Sequence, residues 1–332
     1  MAGADGPAVR RARDLIRTVC AVAGSTAFLD EIDAEARQAG LTQAVAAGNA
    51  APVFDWLLTT FSFQGISDRV ARDYIAKHGA ATWSSISTSL ASMPSCPKLR
   101  AYWAYEGCRY DKGSFSCSEP DHIEHCPVPR PWLRNGRLNQ LAVSFFLFVR
   151  DVAGGDLIGW IDDQLQSAPG NSAARQEALI GPLRSVYGVS DKVLTMALSS
   201  LLIAAGKRRP YWFETGKDLL AVDTLIHHHF HRTGILEGCG KPHRYGVGCY
   251  QPGGCAQIIR DMSEQIDARS FNPRFPSVFP RFVQHAIWRF CAADGLNLCN
   301  GNRISGEKPC EISYCYLYRK CKKLALKSLQ NQ

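Results

Sequence analysis

Long hydrophobic runs are missing from this chain of 332 residues. The longest, residues 141–149 and 193–205, fall short of the roughly 20 apolar residues that a membrane-spanning helix needs. An export signal is missing as well. Residues 1–13 are polar and small, with Arg10, Arg11 and Arg13, and Arg17 interrupts the apolar stretch behind them. Both absences argue against a membrane protein and lead to the expectation of a soluble, cytoplasmic one. No segment alternates apolar and polar residues convincingly, and no segment repeats at a fixed period, which excludes sheet-based and solenoid designs.

What is present suits a substantial core: 46% of the residues are hydrophobic, enough for one large domain or two small ones. A net charge of +8 fits a polyanionic partner such as nucleic acid, without specifying a fold. Thirteen cysteines are many for such a protein. The number is odd and nothing marks the chain for secretion, so a disulfide framework is not expected, and metal binding is the better reading of clustered cysteines.

Helical spacing recurs along the chain. Ser25 and Thr26 can cap a helix over residues 27–38, with Gly40 as its stop. Val53, Trp56, Leu57 and Phe61 share one face of a helix over 51–63, and another follows over 65–78 with Gly79 beyond it. Residues 94–134, rich in Cys, Pro, Gly, Ser and aromatics, form an irregular insert. Helical periodicity returns over 138–152. Two helices flank a turn at 187–190 within 174–205, a loop spans 208–217, and further helices cover 219–233 and 278–290.

The turn carries the chemistry. Gly188 lets the backbone reverse tightly, so that N–H groups at the start of the following helix can hold a phosphate, helped by the helix dipole. Such contacts grip DNA without reading its sequence. Lys192 stands at that helix start, where a lowered pKa would make it an amine nucleophile. Asp223 opens a later helix and can stabilise positive charge growing on a sugar. Plainer readings stand beside these: a lysine at a helix start is most often solvated or a phosphate contact, and Asp223 is also a normal N-cap.

The segment Val186-Tyr187-Gly188-Val189-Ser190-Asp191-Lys192, followed by Ala221-Val222-Asp223-Thr224 and Arg232-Thr233-Gly234, resembles the helix-hairpin-helix DNA glycosylases of the endonuclease III type. Residues 62–68, with Gln64, and residues 135–142 resemble two further helices of that family, and the likeness covers roughly residues 50–325. Ser190 replaces the second hairpin glycine, Tyr187 the usual proline, and the 94–134 insert has no counterpart in simple members. The resemblance implies a flipped base, Asp223 as the essential carboxylate, and Lys192 as a Schiff-base nucleophile adding AP-lyase cleavage. It also implies DNA contacts from Gly188 and Ser190, with Gln64 filling the stack or lining the pocket. Arg232 is expected to support the catalytic helix or a phosphate.

Cys291, Cys299, Cys310, Cys315 and Cys321 crowd the last segment. Four thiolates at short spacing suit zinc or an iron–sulfur cluster about equally. The family often ends in a four-iron–four-sulfur cluster, and the five residues between Cys315 and Cys321 keep its last spacing. The resemblance therefore implies such a cluster on Cys291, Cys310, Cys315 and Cys321, with Cys299 competing for the first place. Cys96, Cys108, Cys117 and Cys126 form a second set with gaps wider than ordinary zinc pairs, and zinc is favoured there over no metal. Cys239, Cys249 and Cys255 with His243 make a third set left unassigned. His227 and His231 share a helix face, but surface or structural histidines are the expected reading.

The expectation is an all-α protein of two helical lobes, with DNA and the flipped base in the cleft between them. Residues 1–50 form a helical extension, 51–290 the glycosylase core and 291–332 the cysteine cluster with a basic tail. A monomer acting on double-stranded DNA would cleave the N-glycosidic bond of a damaged or modified base. One alternative is a defence glycosylase removing bulky modified bases from foreign DNA; another is a non-catalytic DNA-binding protein that uses the hairpin as a grip.

Overall fold

The computed structural model describes residues 6–62, 68–90, 95–129, 133, 136–168, 170–301 and 304–326. Gln64 lies outside them. The described residues are helical, with no strand beyond a single bridge between Asp111 and Ser116. In chain order the helices begin with α1 (Pro7–Ala23), α2 (Phe28–Gln38), α3 (Leu41–Ala47) and α4 (Ala50–Ser62). Next come α5 (Asp68–His78), α6 (Trp83–Leu90), α7 (Tyr102–Tyr105) and α8 (Gly136–Asp151). Then follow α9 (Leu157–Ser167), α10 (Ser172–Leu183), α11 (Asp191–Ala205) and α12 (Pro210–Gly216). The last are α13 (Thr224–Thr233), α14 (Ile235–Cys239), α15 (Cys255–Glu264) and α16 (Pro280–Cys291).

The chain divides into two compact units, residues 33–215 and residues 1–32 joined with 216–332. That partition differs from extension, core and tail in series. α1 packs chiefly on α16 and α14, so the N-terminal helix belongs with the C-terminal half. Leu15, Ile16 and Val19 are 0% exposed on its inner face.

The unit of residues 33–215 is built as an ordinary apolar core. Phe54 of α4 stacks on Phe145 of α8 with ring centroids 4.7 Å apart, and Phe61 meets the same ring edge-on. Each such fully buried side chain contributes about 1.5–3 kcal/mol relative to exposure. α11 lies against α3, α4 and α10 and buries Leu194, Leu198, Leu201 and Leu202. Among the described residues of 94–134 the regular structure is α7 and two 3-10 helices, Pro97–Leu99 and Pro120–His125.

Two local expectations change. Residues 208–217 contain α12 rather than a plain loop. Its anchor is distant in sequence: Asp162 of α9 accepts from Arg209 Nε at 3.0 Å and from the indole Nε1 of the fully buried Trp212 at 2.7 Å. The helix placed over 219–233 starts only at Thr224, because Asp223 takes the cap position while residues 219–222 run buried ahead of it.

Candidate metal centres and the hairpin turn

α10 and α11 pack on each other and are joined by residues 184–190. Gly188 adopts φ +78°, and a Cβ there would stand 3.4 Å from Arg137 Nε. Tyr187 N–H is held by the Ser144 hydroxyl at 3.0 Å, which fixes the approach to the turn. Ser190 is exposed, extended at the N-cap of α11, and makes no side-chain cap bond. The first N–H groups of α11 therefore lack the usual side-chain acceptor, the condition under which a helix start binds an anion. Arg184 turns back on Asp191 at 2.9 Å and offsets the one carboxylate in the first turn. Lys192 is half-buried in that turn.

Asp223 is half-buried at the N-cap of α13, where its Oδ1 accepts from Ile226 N–H at 3.0 Å. The cap fixes the carboxylate's orientation rather than leaving it to rotate. Tyr250 sits beside this turn: its hydroxyl accepts from Val222 N–H at 3.1 Å. Lys192 belongs to one compact unit and Asp223 to the other.

α13 is unusual in what it buries. His227, His229 and Arg232 are 1%, 0% and 1% exposed, and His231 is buried with its Nε2 against Ala325 O at 3.0 Å. Such groups are costly to bury without partners. His228, on the outer side, is pushed down to about 4 by burial and by its charged neighbours.

His227 faces a loop. With His243, Cys249 and Cys255 it forms a group whose ligand atoms all lie within 4.8 Å of one another. The Nδ1 of His227 lies 3.6 Å from Cys249 Sγ and 3.5 Å from Cys255 Sγ, and Cys255 Sγ lies 3.6 Å from His243 Nε2. Cys249 is pushed down to about 4 by the hydrogen bond from the Cys255 thiol and further by His227. The same bond and burial push Cys255 up. Glycines make the loop tight enough: a Cβ at Gly248 would meet the His243 side chain at 2.9 Å, and one at Gly254 the Gly248 carbonyl at 2.2 Å.

His229 points to a second group, with Cys291 and Cys299, again within 4.8 Å. Neither ring nitrogen of His229 makes a hydrogen bond of good geometry. The Cys291 thiol, and then His229, hold Cys299 well below the ordinary thiol range, while burial and Cys299 push Cys291 up. Cys321 is pushed up to about 11 by burial, with smaller contributions from Cys299, Cys315 and Cys310. All five C-terminal cysteines are thus in one neighbourhood, and Cys299 is common to both parts of it. Cys321 Sγ accepts from Lys323 N–H at 3.3 Å, and Leu324 N–H donates to Arg232 O at 3.0 Å, tying the segment to α13. 

Arg232 lies inside this neighbourhood. Burial lowers its pKa and the cysteines Cys299, Cys310, Cys321 and Cys291 oppose that. The guanidinium is 1% exposed, closed off from a phosphate arriving from solvent, and its Nη2 donates to the Ile304 and Ser305 carbonyls at 3.4 and 3.3 Å. Its Nε and Nη1 have no hydrogen-bond partner among the described residues, which fits a site meant to hold negative charge.

The insert cysteines Cys96, Cys108, Cys117 and Cys126 also gather: Cys126 is pushed up to about 11 by burial first and then by Cys108, Cys96 and Cys117. They are not among the groups with all ligand atoms within 4.8 Å. None of the thirteen cysteines is in a disulfide; Cys20 is an isolated core residue, pushed up to about 12 by burial.

Sequence reasoning left His227, His229, His243, Cys249 and Cys255 without a metal role. His227 and His231 share a helix face but part toward different neighbours, the first to Cys249 and Cys255 and the second to the Ala325 carbonyl, and both are buried rather than at the surface. One signal was present: His243, Cys249 and Cys255 recur at intervals of six in a glycine-rich stretch with few core-forming residues. Comparison with protein-family models, curated proteins and solved structures finds no match to this chain.

Proposed function

We propose that the chain is a DNA N-glycosylase that flips a damaged or modified base and cleaves its glycosidic bond. The observation that carries this reading is the α10–α11 turn, where Gly188 in the left-handed region leads into a helix start without a side-chain cap. Backbone N–H groups aimed outward there suit a DNA phosphate. Asp223, oriented by its own cap bond, supplies the carboxylate that stabilises positive charge developing on the sugar. Lys192 is the amine that would attack the sugar carbon and add lyase cleavage.

A four-iron–four-sulfur cluster is the proposed occupant of the C-terminal cysteines. Cys310, Cys315 and Cys321 would hold it together with Cys299 or Cys291, around the buried Arg232. Its role would be to fix the chain carrying exposed Lys308, Arg319 and Lys320, while Tyr314 and Tyr316, 69% and 64% exposed, offer rings for bases. Zinc remains the proposed staple of the insert.

The test is a panel of duplex oligonucleotides bearing uracil, oxidised pyrimidines, mismatches and modified cytosines, including bulky ones. Base release from one of them, lost in Asp223→Asn, is expected. A borohydride-trapped adduct lost in Lys192→Ala would support the Schiff base. DNA binding without base release on any substrate would replace the enzyme by a binding protein.

A further inference from the structure

We propose that His227, His243, Cys249 and Cys255 bind a single zinc ion in a closed tetrahedral site that fixes the turn carrying Asp223. The zinc assignment stands apart from the glycosylase reading; only its consequence for catalysis rests on it.

The distances argue for a metal. Zinc bonds of about 2.3 Å to sulfur and 2.0–2.1 Å to nitrogen, at the tetrahedral angle, place sulfur and nitrogen about 3.6 Å apart. The three sulfur–nitrogen separations are 3.6, 3.5 and 3.6 Å. A thiol network without metal explains them less well. The Nδ1 of His227 lies against both sulfurs at once and Cys255 Sγ against both imidazoles, whereas a shared proton is directed along one contact at a time. One ion at the centre serves all of them.

The tautomer of His243 agrees. Its Nδ1 lies 2.7 Å from the Lys241 carbonyl, which can only accept, so Nδ1 carries the proton and Nε2 presents its lone pair toward Cys255. A backbone carbonyl on the far nitrogen is the common way a metal-binding imidazole is oriented. Two sulfurs and two imidazoles in a tetrahedron select zinc among common ions. With four protein ligands and three of the four residues buried, no position remains open for substrate, so the site is structural.

Its placement gives it a task. His227 lies one turn beyond Asp223 on α13, while Tyr250, next to Cys249, holds Val222 on the other side of Asp223. Lys241 N–H closes the loop on Gly253 O at 2.9 Å. The ion would lock the loop of residues 240–255 onto the first turn of α13.

Metal content of the purified full-length protein tests this without DNA. Zinc per chain should fall by one equivalent in Cys255→Ala relative to the unaltered chain, with iron unchanged. Because that variant could misfold, His243→Cys provides a second reading with a complete ligand set. It should keep its metal, and after cobalt substitution its thiolate-to-cobalt absorption should rise in proportion to the added thiolate. It should also keep base release where Cys255→Ala loses it. Unchanged zinc in Cys255→Ala, or a cobalt spectrum indifferent to His243→Cys, would overturn the assignment.

Discussion

Helices α11 and α13 each open on a residue proposed for chemistry, Lys192 and Asp223, yet they are buried by opposite materials. α11 turns Leu194, Leu198, Leu201 and Leu202 inward, and its neighbours are aliphatic and aromatic. α13 turns His227, His229, His231 and Arg232 inward beside Ile226 and Phe230. Hydrophobic burial is the main support of the first. The second carries polar nitrogens that cost about 1–3 kcal/mol each when buried unpaired, and His227 and His229 lie against cysteine sulfurs in groups that could hold a metal. On the proposed reading, the difference separates a phosphate grip on an ordinary scaffold from a carboxylate set on a metal-dependent one.

Metal removal is the sharpest way to test that contrast. Stripping with chelator under reducing conditions should unfold residues 1–32 and 216–332 while residues 33–125 and 136–215 keep slow hydrogen exchange in their helices. Structural zinc alone is worth about 10–16 kcal/mol in small zinc-finger peptides, more than any single side chain here. Uniform loss of protection across both units would show that the apolar unit does not stand without the other. The next largest effect belongs to the apolar unit: Phe145→Ala, at a ring 0% exposed, should cost about 3–5 kcal/mol. Denaturant unfolding should place that loss in residues 33–215 and leave zinc content unchanged.

How much of this was legible depended on the range of the interaction that fixes each element. α2, α4, α8 and α16 announce themselves through spacing within one helix, as do Gly40 and Gly79 at helix stops. The Gly188 turn is readable for the same reason. α12 was not, because Asp162 that anchors it lies nearly fifty residues earlier. The division into units was hidden because α1 finds its partner α16 across almost the whole chain. The His227 group escaped because its members come from separate places: His227 from α13, His243 and Cys249 from the connection after α14, and Cys255 from the start of α15. Asp223 was legible both as cap and as candidate acid; the structure displays the first role.

The unit of residues 1–32 and 216–332 should also be the acid-sensitive one. His285 on α16 stacks on Phe28 with centroids 4.5 Å apart and is held down to about 3, by burial first and then by Arg281 and Arg289. The unfolded chain binds a proton at ordinary histidine values, about 6.5, that the folded chain refuses. Stability from this group is therefore complete above about 6.5 and is lost as pH falls toward 3. His285→Phe should flatten the fall in melting temperature over that window. An unchanged acid profile would move the sensitivity elsewhere.

The Gly188 turn should respond more modestly. Gly188→Ala places a Cβ in the left-handed region, at a cost of about 1–2 kcal/mol. Affinity for duplex DNA should fall with it, and the salt dependence of binding should weaken as a phosphate contact is lost. Binding that survives unchanged would remove the turn from the DNA interface and leave α11 as scaffold alone.

The smallest change in stability is expected where the functional claim is strongest. Asn caps a helix about as well as Asp, whereas Ala in its place costs roughly 1 kcal/mol. Asp223→Asn should therefore melt within about a degree of the unaltered chain, since a few tenths of a kcal/mol move the melting point of a protein this size very little. Asp223→Ala should melt lower. If the residue only caps α13, base release should track stability, surviving in the Asn variant and dropping in the Ala one. If its charge meets the developing cation on the sugar, both variants should lose base release alike, while zinc content and DNA affinity stay at the unaltered level in the Asn variant.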